Sequence, residues 1–242
     1  MNDVRTVSDT KRAFYSLHTR PINSIYRRVV EELMVETHLL IVNSGFHYDP
    51  VYALGVVTTY DRFMQGYRPD QDKVSIFNAL CQAVGGDPQV YRQDAERLLA
   101  EASSLSPEDV VSKVRESTEP TDGLVGVLRG VAGNSSFKYS RLFSIGLYTL
   151  LEQMDSEMMR DDARRNAALQ SLSDALNLSP DKVQKDLELY RSNLDKMTQA
   201  RAVLDDILKA DRKKKEERAK AKEAKPDDEA IATPPASPSE PS

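Results

Sequence analysis

The chain has 242 residues, of which 40% are hydrophobic and 29% are charged, and its formal net charge is −5. This length and composition are typical of a soluble globular protein with ample material for a buried core. The mild negative charge argues against a nucleic-acid-binding domain, for which a basic surface is expected.

The single cysteine and the termini limit the cellular context. Cys81 has no cysteine to pair with, so a reducing compartment fits, and its apolar surroundings KVSIFNALCQAV predict a small buried hydrophobe rather than a reactive thiol. The opening residues MNDVRTVSDTKRAFYSLH lack the character of a signal or transit peptide. No run reaches the ~18 apolar residues that a membrane span needs. We therefore expect a soluble or membrane-peripheral protein.

The first half of the chain predicts helices throughout. Residues 8–19 form a short helix that Ser8 caps. Residues 22–43 place apolar side chains on one stripe and Arg-Glu pairs on the other, and Asp49-Pro50 starts the next helix. That helix, to residue 66, is apolar around most of its circumference, as is typical of a central helix. Residues 22–66 are thus predicted to be the core helices, and further helices are expected at 70–85, 88–104 and 106–117.

A glycine-rich stretch follows at residues 118–136. Glycine-rich loops can cradle phosphates, but a P-loop needs a strand before it and a Lys-Ser/Thr pair after it. Neither feature is present, since Asn134 and Ser135 follow the last glycine. We predict a flexible hinge or a loosely helical connector here rather than a nucleotide site.

The last part of the folded region predicts long helices. Helical periodicity runs over 137–176 with a polar interruption near 161–165, and Ser179-Pro180 starts the final helix. That helix repeats apolar residues every four and three positions, which is typical of a coiled-coil seam. The seam predicts either an antiparallel hairpin with the 137–176 helix or pairing with a second chain; it comprises Val183, Leu187, Tyr190, Leu194, Met197, Leu204 and Leu208.

Two further segments close the chain. Residues 209–225 hold nine basic and four acidic side chains, a net +5. This run predicts either a solvated helix or contact with anionic lipid headgroups; interleaved acids weaken the lipid and the nucleic-acid interpretations. Residues 226–242 include five prolines in seventeen residues and predict disorder. The predicted fold is an all-α multi-helix bundle with a long C-terminal coiled-coil-like helix and a disordered tail.

The predicted domain organisation follows from these segments. Residues 1–208 form the helical domain, and residues 209–242 form a charged, then proline-rich tail. Within the domain, the C-terminal helical hairpin covers 137–208.

Catalytic and metal-binding patterns are missing from the sequence. His18, His38 and His47 have no partner at metal-ligand spacing, and Glu36 lies two residues rather than three before His38. No nucleophile elbow is found. We therefore predict no catalytic, cofactor-binding or metal-binding residue; His38 is expected to be a partly buried structural residue and His47 a turn residue.

One motif combines aromatic and charged residues at the end of the second core helix. In TTYDRFMQGYR, Tyr60, Asp61, Arg62, Tyr67 and Arg68 mix arginine and tyrosine, which both offer large contact areas with a polar tip. The motif predicts a partner-binding surface. The alternative is the end of a core helix with an ordinary charged rim.

Several stretches resemble a known protein family, most densely YRRVVEELMVETHLL, GFHYDP and VYALGVVTTYDRFMQGY, and again SRLFSIGLYTLLE at 140–152. The resemblance is to the thylakoid formation protein family, also called photosystem II biogenesis proteins. It implies a helical, non-enzymatic protein of cyanobacterial type, without cofactors, that supports thylakoid organisation and photosystem II assembly or repair. The family brings no catalytic or cofactor residues that can be assigned to this chain.

The resemblance also sets the expected partners and location. We expect binding to an FtsH-type membrane protease complex, contact with photosystem II components, no nucleic acid, and a partly soluble protein at the cytoplasmic face of the thylakoid membrane. Two alternatives remain open. One is a membrane-surface structural protein acting through the basic C-terminal segment, and the other is a small-ligand-binding helical protein, which would need a buried polar pocket.

Overall fold

The structure is a computed structural model of the chain; it describes residues 5–116 and 122–223, without the side chains of residues 208 and 218–223. This part of the chain is all-α and contains no β-strand. The helices are α1 (Val7–Leu17), α2 (Ser24–Ile41), α3 (Pro50–Phe63), α4 (Asp70–Ala83), α5 (Pro88–Ala102), α6 (Pro107–Glu116), α7 (Gly123–Ala132), α8 (Arg141–Met154), α9 (Asp162–Ala175) and α10 (Pro180–Glu223), with a short 3-10 helix at Met158–Arg160.

Helix α3 is the centre of the bundle, as its apolar circumference predicts. All residues from Val51 to Tyr60 are buried, and α3 packs along both α8 and α5. Its N-terminus follows the predicted chemistry: the Asp49 carboxylate accepts the Tyr52 backbone N–H at 2.8 Å, and Pro50 occupies the first helical position.

Two glycines let α3 and α8 cross with their backbones in contact. A Cβ atom on Gly55 would overlap the carbonyl of Leu142, and one on Gly146 would overlap the carbonyl of Val51. Both sites therefore require glycine for space, not for an unusual φ angle. Helix α8 is itself buried continuously from Leu142 to Leu151, so this crossing lies in the middle of the core.

The remaining helices cover this pair. Helix α1 packs on α2 and α4, while α6 packs on α7 and α9. The structure places the first cap two residues earlier than predicted: Thr6, not Ser8, caps α1, in a capping box with Asp9.

Two predicted segments differ in part from the structure. The stretch 118–136, predicted to be a flexible hinge or a loosely helical connector, contains a regular helix, α7, because Leu124 and Leu128 are fully buried and their packing outweighs the low helix propensity of its glycines. Residues 117–121 lie outside the described residues. In the 137–176 stretch, the break between α8 and α9 lies just before the polar interruption predicted near 161–165, and Asp155 and Asp161 accept hydrogen bonds from backbone N–H groups there.

Helix α10 crosses the boundary between two compact units, Met1–Thr198 and Gln199–Ser242. In the first unit, the seam residues Val183, Leu187 and Tyr190 are buried within their own chain. In the second, Val203 and Ile207 are more than half exposed. The boundary at 208/209 stays a prediction, as does the continuation of the seam, and the predicted disorder of 226–242 lies outside the described residues.

Among the helices that the structure describes, none is long and apolar enough to cross a membrane.

Candidate partner-binding surface

The aromatic and charged motif lies where α3 ends and the chain turns towards α4. The helix ends at Phe63, and Gly66 adopts the left-handed conformation, with φ of 77°, which a residue without Cβ adopts at no steric cost. The five predicted residues therefore share one end of the bundle, but their side chains have different environments.

The two tyrosines belong to the core. Tyr60 is 2% exposed, and its hydroxyl donates to the Lys73 carbonyl at 2.6 Å, which ties the end of α3 to α4. Tyr67 is 3% exposed and packs edge-on against Tyr26, with ring centroids 5.0 Å apart. Burial raises the pKa of both hydroxyls. The two tyrosines therefore fix the backbone that carries the charged side chains of the motif.

Asp61 is exposed and forms a two-pronged ion pair with α5. Its carboxylate oxygens accept hydrogen bonds from both terminal nitrogens of Arg92, at 2.5 and 2.8 Å. The Arg92 guanidinium also lies 4.2 Å above the ring of Phe77, within cation–π range. Asp61 therefore holds a guanidinium that covers the aromatic core.

Arg62 is the most enclosed charge of the motif. It pairs with Glu152 on α8 and lies beside the Tyr190 hydroxyl of α10. Burial disfavours the charged guanidinium, but Tyr190 and Glu152 outweigh that effect and raise the pKa of Arg62 above its ordinary value. Arg62 thus links three helices and offers little of its surface to a partner.

Arg68 is the most exposed of the five residues, with 77% of its side chain accessible. It forms an ion pair with Asp70, and the Asp70 carboxylate forms a second ion pair with Lys73 at 2.7 Å. Surface pairs of this kind contribute at most about 1 kcal/mol, so either partner can be exchanged for an incoming charge at little cost. The structure thus combines an accessible charged rim, Asp61 and Arg68, with a buried aromatic base.

The other candidate groups are structural. The His38 ring shares a hydrogen bond of 2.8 Å with the Thr10 hydroxyl, and His18 one of 2.9 Å with Ser75, whereas His47 is exposed in the loop before α3. Burial raises the pKa of the Cys81 thiol to about 12, as expected for a core cysteine. No cluster suited to a metal ion is found in the described part of the chain.

A small cavity lies within the bundle, among α2, α3, α8 and α10. Its volume is about 50 Å³, and its lining includes Tyr190 and Thr59; the buried Thr59 hydroxyl has no hydrogen-bond partner among the described residues. This is room for one or a few water molecules, well below the ~300 Å³ of a typical small-ligand site.

A larger groove between α6 and α9 had no signal in the sequence, because it arises only when the two helices pack side by side. Its volume is about 460 Å³. It is lined by Pro107, Glu108, Val111, Ser112, Arg115, Glu116, Met158, Arg164, Ala167, Ala168 and Ser171.

Comparison with known proteins identifies a family to which the chain is similar. The family model described as "Thylakoid formation protein" matches residues 6–219. Protein Thf1 of Nostoc sp. is 62% identical over 220 residues, covering 90% of this chain and 94% of that protein. Protein Thf1 of Gloeothece citriformis is 56% identical, covering 90% of this chain and 97% of that protein.

A solved structure agrees with this relationship. The chain described as "Structure of Psb29 at 1.55A" superimposes with a TM-score of 0.78 at 44% sequence identity, covering 87% of this chain and 98% of that one. The chain therefore belongs to the thylakoid formation protein family.

Proposed function

We propose that this protein is a non-enzymatic accessory factor in thylakoid membrane biogenesis and photosystem II assembly or repair, and that it binds and stabilises an FtsH-type membrane protease complex. The observation that supports the thylakoid role is the family match over residues 6–219, with relatives that are 62% and 56% identical. The protease is the partner that the resemblance to this family implies. The fold adds a rigid helical scaffold with an accessible charged rim at the end of α3. The site of action is the cytoplasmic face of the thylakoid membrane.

Affinity purification of the tagged full chain from native thylakoids tests the proposal. We expect the protease and photosystem II components to co-purify with the wild-type protein. In a strain that lacks the protein, we expect lower levels of the protease complex and slower photosystem II repair. Normal protease levels and normal photosystem II repair in that strain would contradict the proposal.

Variants of the charged rim then test the predicted contact surface. Arg68→Glu and Asp61→Asn change exposed charges, and the asparagine keeps a hydrogen-bond acceptor for Arg92. Arg160→Gln is the matched control, because Arg160 is equally exposed and paired with Glu157, but lies elsewhere. We expect the rim variants to lose the protease and the control to keep it. Retention by all three would place the contact surface elsewhere.

A second candidate function, structural binding at a membrane surface, is favoured by the second unit. There Val203 and Ile207 are exposed, and the basic run starting at residue 209 follows them within one turn. Sedimentation with anionic vesicles tests this function: the full chain should bind, and removal of residues 209–242 should abolish binding. Binding that survives the truncation or is insensitive to salt would reject it.

A further inference from the structure

Helix α1 packs on α2 and α4 and is attached to them by two buried histidines, one near each of its ends. Near its start, the buried Thr10 hydroxyl shares a hydrogen bond of 2.8 Å with the His38 ring of α2. Directly after its last residue, the His18 ring shares one of 2.9 Å with the Ser75 hydroxyl of α4. Between these two bonds Phe14 is fully buried in the core, so detachment of α1 would uncover apolar surface.

The hydrogen-bond geometry of His18 suits a neutral ring. The residue is 2% exposed, and its Nε2 atom is buried without a hydrogen-bond partner among the described residues. A neutral ring can donate through Nδ1 to Ser75 and leave Nε2 without a hydrogen. A protonated ring carries a hydrogen on each nitrogen, so one buried N–H group is left without an acceptor, which is unfavourable. The contact with α4 therefore favours the neutral form.

Two charged groups act on the His18 ring, and a tyrosine lies beside them. Asp72, in the first turn of α4, has a side chain that is 5% exposed, and Arg20, in the connection between α1 and α2, lies 2.6 Å from its carboxylate. Tyr67, in the connection before α4, is close enough to both for them to affect the pKa of its hydroxyl. From α1 itself, Phe14 presents an apolar ring, with centroids 6.2 Å apart. Arg20 thus neutralises the carboxylate that would otherwise pair with a protonated ring.

These surroundings lower the pKa of His18 below its ordinary value of 6.5: burial opposes the charged form, Asp72 favours it and Arg20 opposes it. The closed state therefore binds a proton less tightly than an opened state in which the ring meets water. By linkage, the attachment of α1 has its full stability above about pH 6.5. It loses stability as the pH falls from there towards the pKa of the closed state.

We propose that α1 is a pH-sensitive cover of the bundle, whose His18 end detaches from α4 when the ring binds a proton. At neutral pH the neutral ring donates to Ser75 and α1 stays closed. In mildly acidic solution, at about pH 5 to 6, the protonated ring leaves its buried position for water. Opening uncovers the apolar surface beneath Phe14. The inference uses no part of the proposed function, so either can fail without the other.

Hydrogen exchange of the full chain at about pH 5 and pH 7.5 tests the cover directly. Protection factors correct for the intrinsic pH dependence of amide exchange. We expect the protection of residues 10–18 to fall about fivefold or more at the lower pH, since each pKa unit between closed and open states changes the opening equilibrium tenfold. The core helix α8 should show no such fall, and the His18 ring proton shifts should titrate below pH 6.5. Constant protection of α1 would overturn the inference.

Replacement of the histidine identifies the titrating group. His18→Gln removes the titratable ring but keeps an amide donor for Ser75, so the protection of α1 should no longer depend on pH. His47→Gln is the matched control, because His47 is exposed in the loop before α3. That variant should show the same acid-induced fall as the wild type. The same fall in His18→Gln would assign the titration to another group and contradict the proposal.

Removal of the neighbouring cation tests the electrostatic part while His18 stays in place. In Arg20→Gln, the Asp72 carboxylate loses its cation and becomes available to the protonated ring. His18 should then titrate at a higher pH than in the wild type, and the fall in α1 protection at about pH 5 should disappear. Arg12→Gln is the matched control: Arg12 lies on α1, is 77% exposed and pairs with Asp9, so this variant should keep the fall. An unchanged fall in Arg20→Gln would refute the mechanism.

Discussion

At Gly55 and Gly146 the backbones of α3 and α8 meet without intervening side chains. A methyl group at either position would occupy the volume of a carbonyl group on the facing helix. Backbone atoms of two packed helices cannot yield as the end of a flexible side chain can, so the helices would have to separate.

We expect Gly55→Ala to lower the free energy of unfolding by about 3 kcal/mol or more, because it overpacks the central crossing. Gly130→Ala in α7 is the matched control. Gly130 has open space around its Cβ position, so the change should stabilise the helix by about 0.5–1 kcal/mol. Urea denaturation followed by circular dichroism measures the free energy of unfolding of both variants. Equal stability of the two would contradict the close backbone contact between α3 and α8.

Asp49 caps the N-terminus of α3, and its side chain is partly buried. Desolvation raises the pKa of its carboxyl from 3.8 to about 6, although the N–H groups of Tyr52 and Val51 favour the charged form. The folded state therefore binds a proton more tightly than the unfolded state does. By linkage, this group makes the protein less stable as the pH rises from about 4 to about 6.

Asp49→Asn keeps the cap, since asparagine is an equally good N-cap residue, but removes the charge. We expect the variant to be more stable than the wild type by at least about 1 kcal/mol at pH 7, given 1.36 kcal/mol per pKa unit. The difference should vanish near pH 3.5, where both states of the wild type are largely protonated. Thermal melts at the two pH values measure it, and a pH-independent difference would refute the assignment.

At the scale of elements, α10 is attached to the bundle by the buried face of its first half. Leu187 is 3% exposed, and Tyr190 stacks edge-on against Phe63 with ring centroids 5.9 Å apart. Asp186 accepts the Tyr139 hydroxyl at 2.8 Å. The predicted seam thus finds its partners within the same chain as far as Met197.

We expect Leu187→Ala to cost about 2–5 kcal/mol, as is usual for a buried leucine, and to raise hydrogen exchange selectively over 180–198. Leu189→Ala is its control. Leu189 is 47% exposed on the opposite face, and its truncation should change stability by no more than about 0.5 kcal/mol. Similar exchange in the two variants would show that the seam does not attach α10.

Helix positions were predictable wherever an apolar stripe coincided with a cap. Asp49-Pro50 begins α3 in the structure as predicted, and α5 begins at Pro88, where the helix expected at 88–104 starts. Helix α7 was not predictable in this way, because glycine has low helix propensity and the compensating burial of Leu124 and Leu128 is a tertiary effect. The polar interruption near 161–165 indicated a break between α8 and α9, but its observed position, just before that interruption, depends on the side-chain acceptors Asp155 and Asp161.

At the scale of the whole molecule, the sequence predicts which helix is central but not which helix crosses it. The apolar circumference of α3 marks it as central, whereas pairing with α8 depends on Gly55 and Gly146, which lie 91 residues apart in the sequence. The candidate surfaces show the same limit. The charged rim at Asp61 is visible as a motif, but the α6–α9 groove exists only once two distant segments pack together.

The glycine crossing also bears on how the length of the chain can change in evolution. One residue inserted into α3 or α8 rotates everything beyond it by about 100° relative to the rest of the helix, which would turn a side chain into the space between the helices. Insertions and deletions among relatives should therefore avoid residues 50–63 and 141–154. They should collect in exposed connections, such as the one between α7 and α8, where added residues leave the glycines face to face.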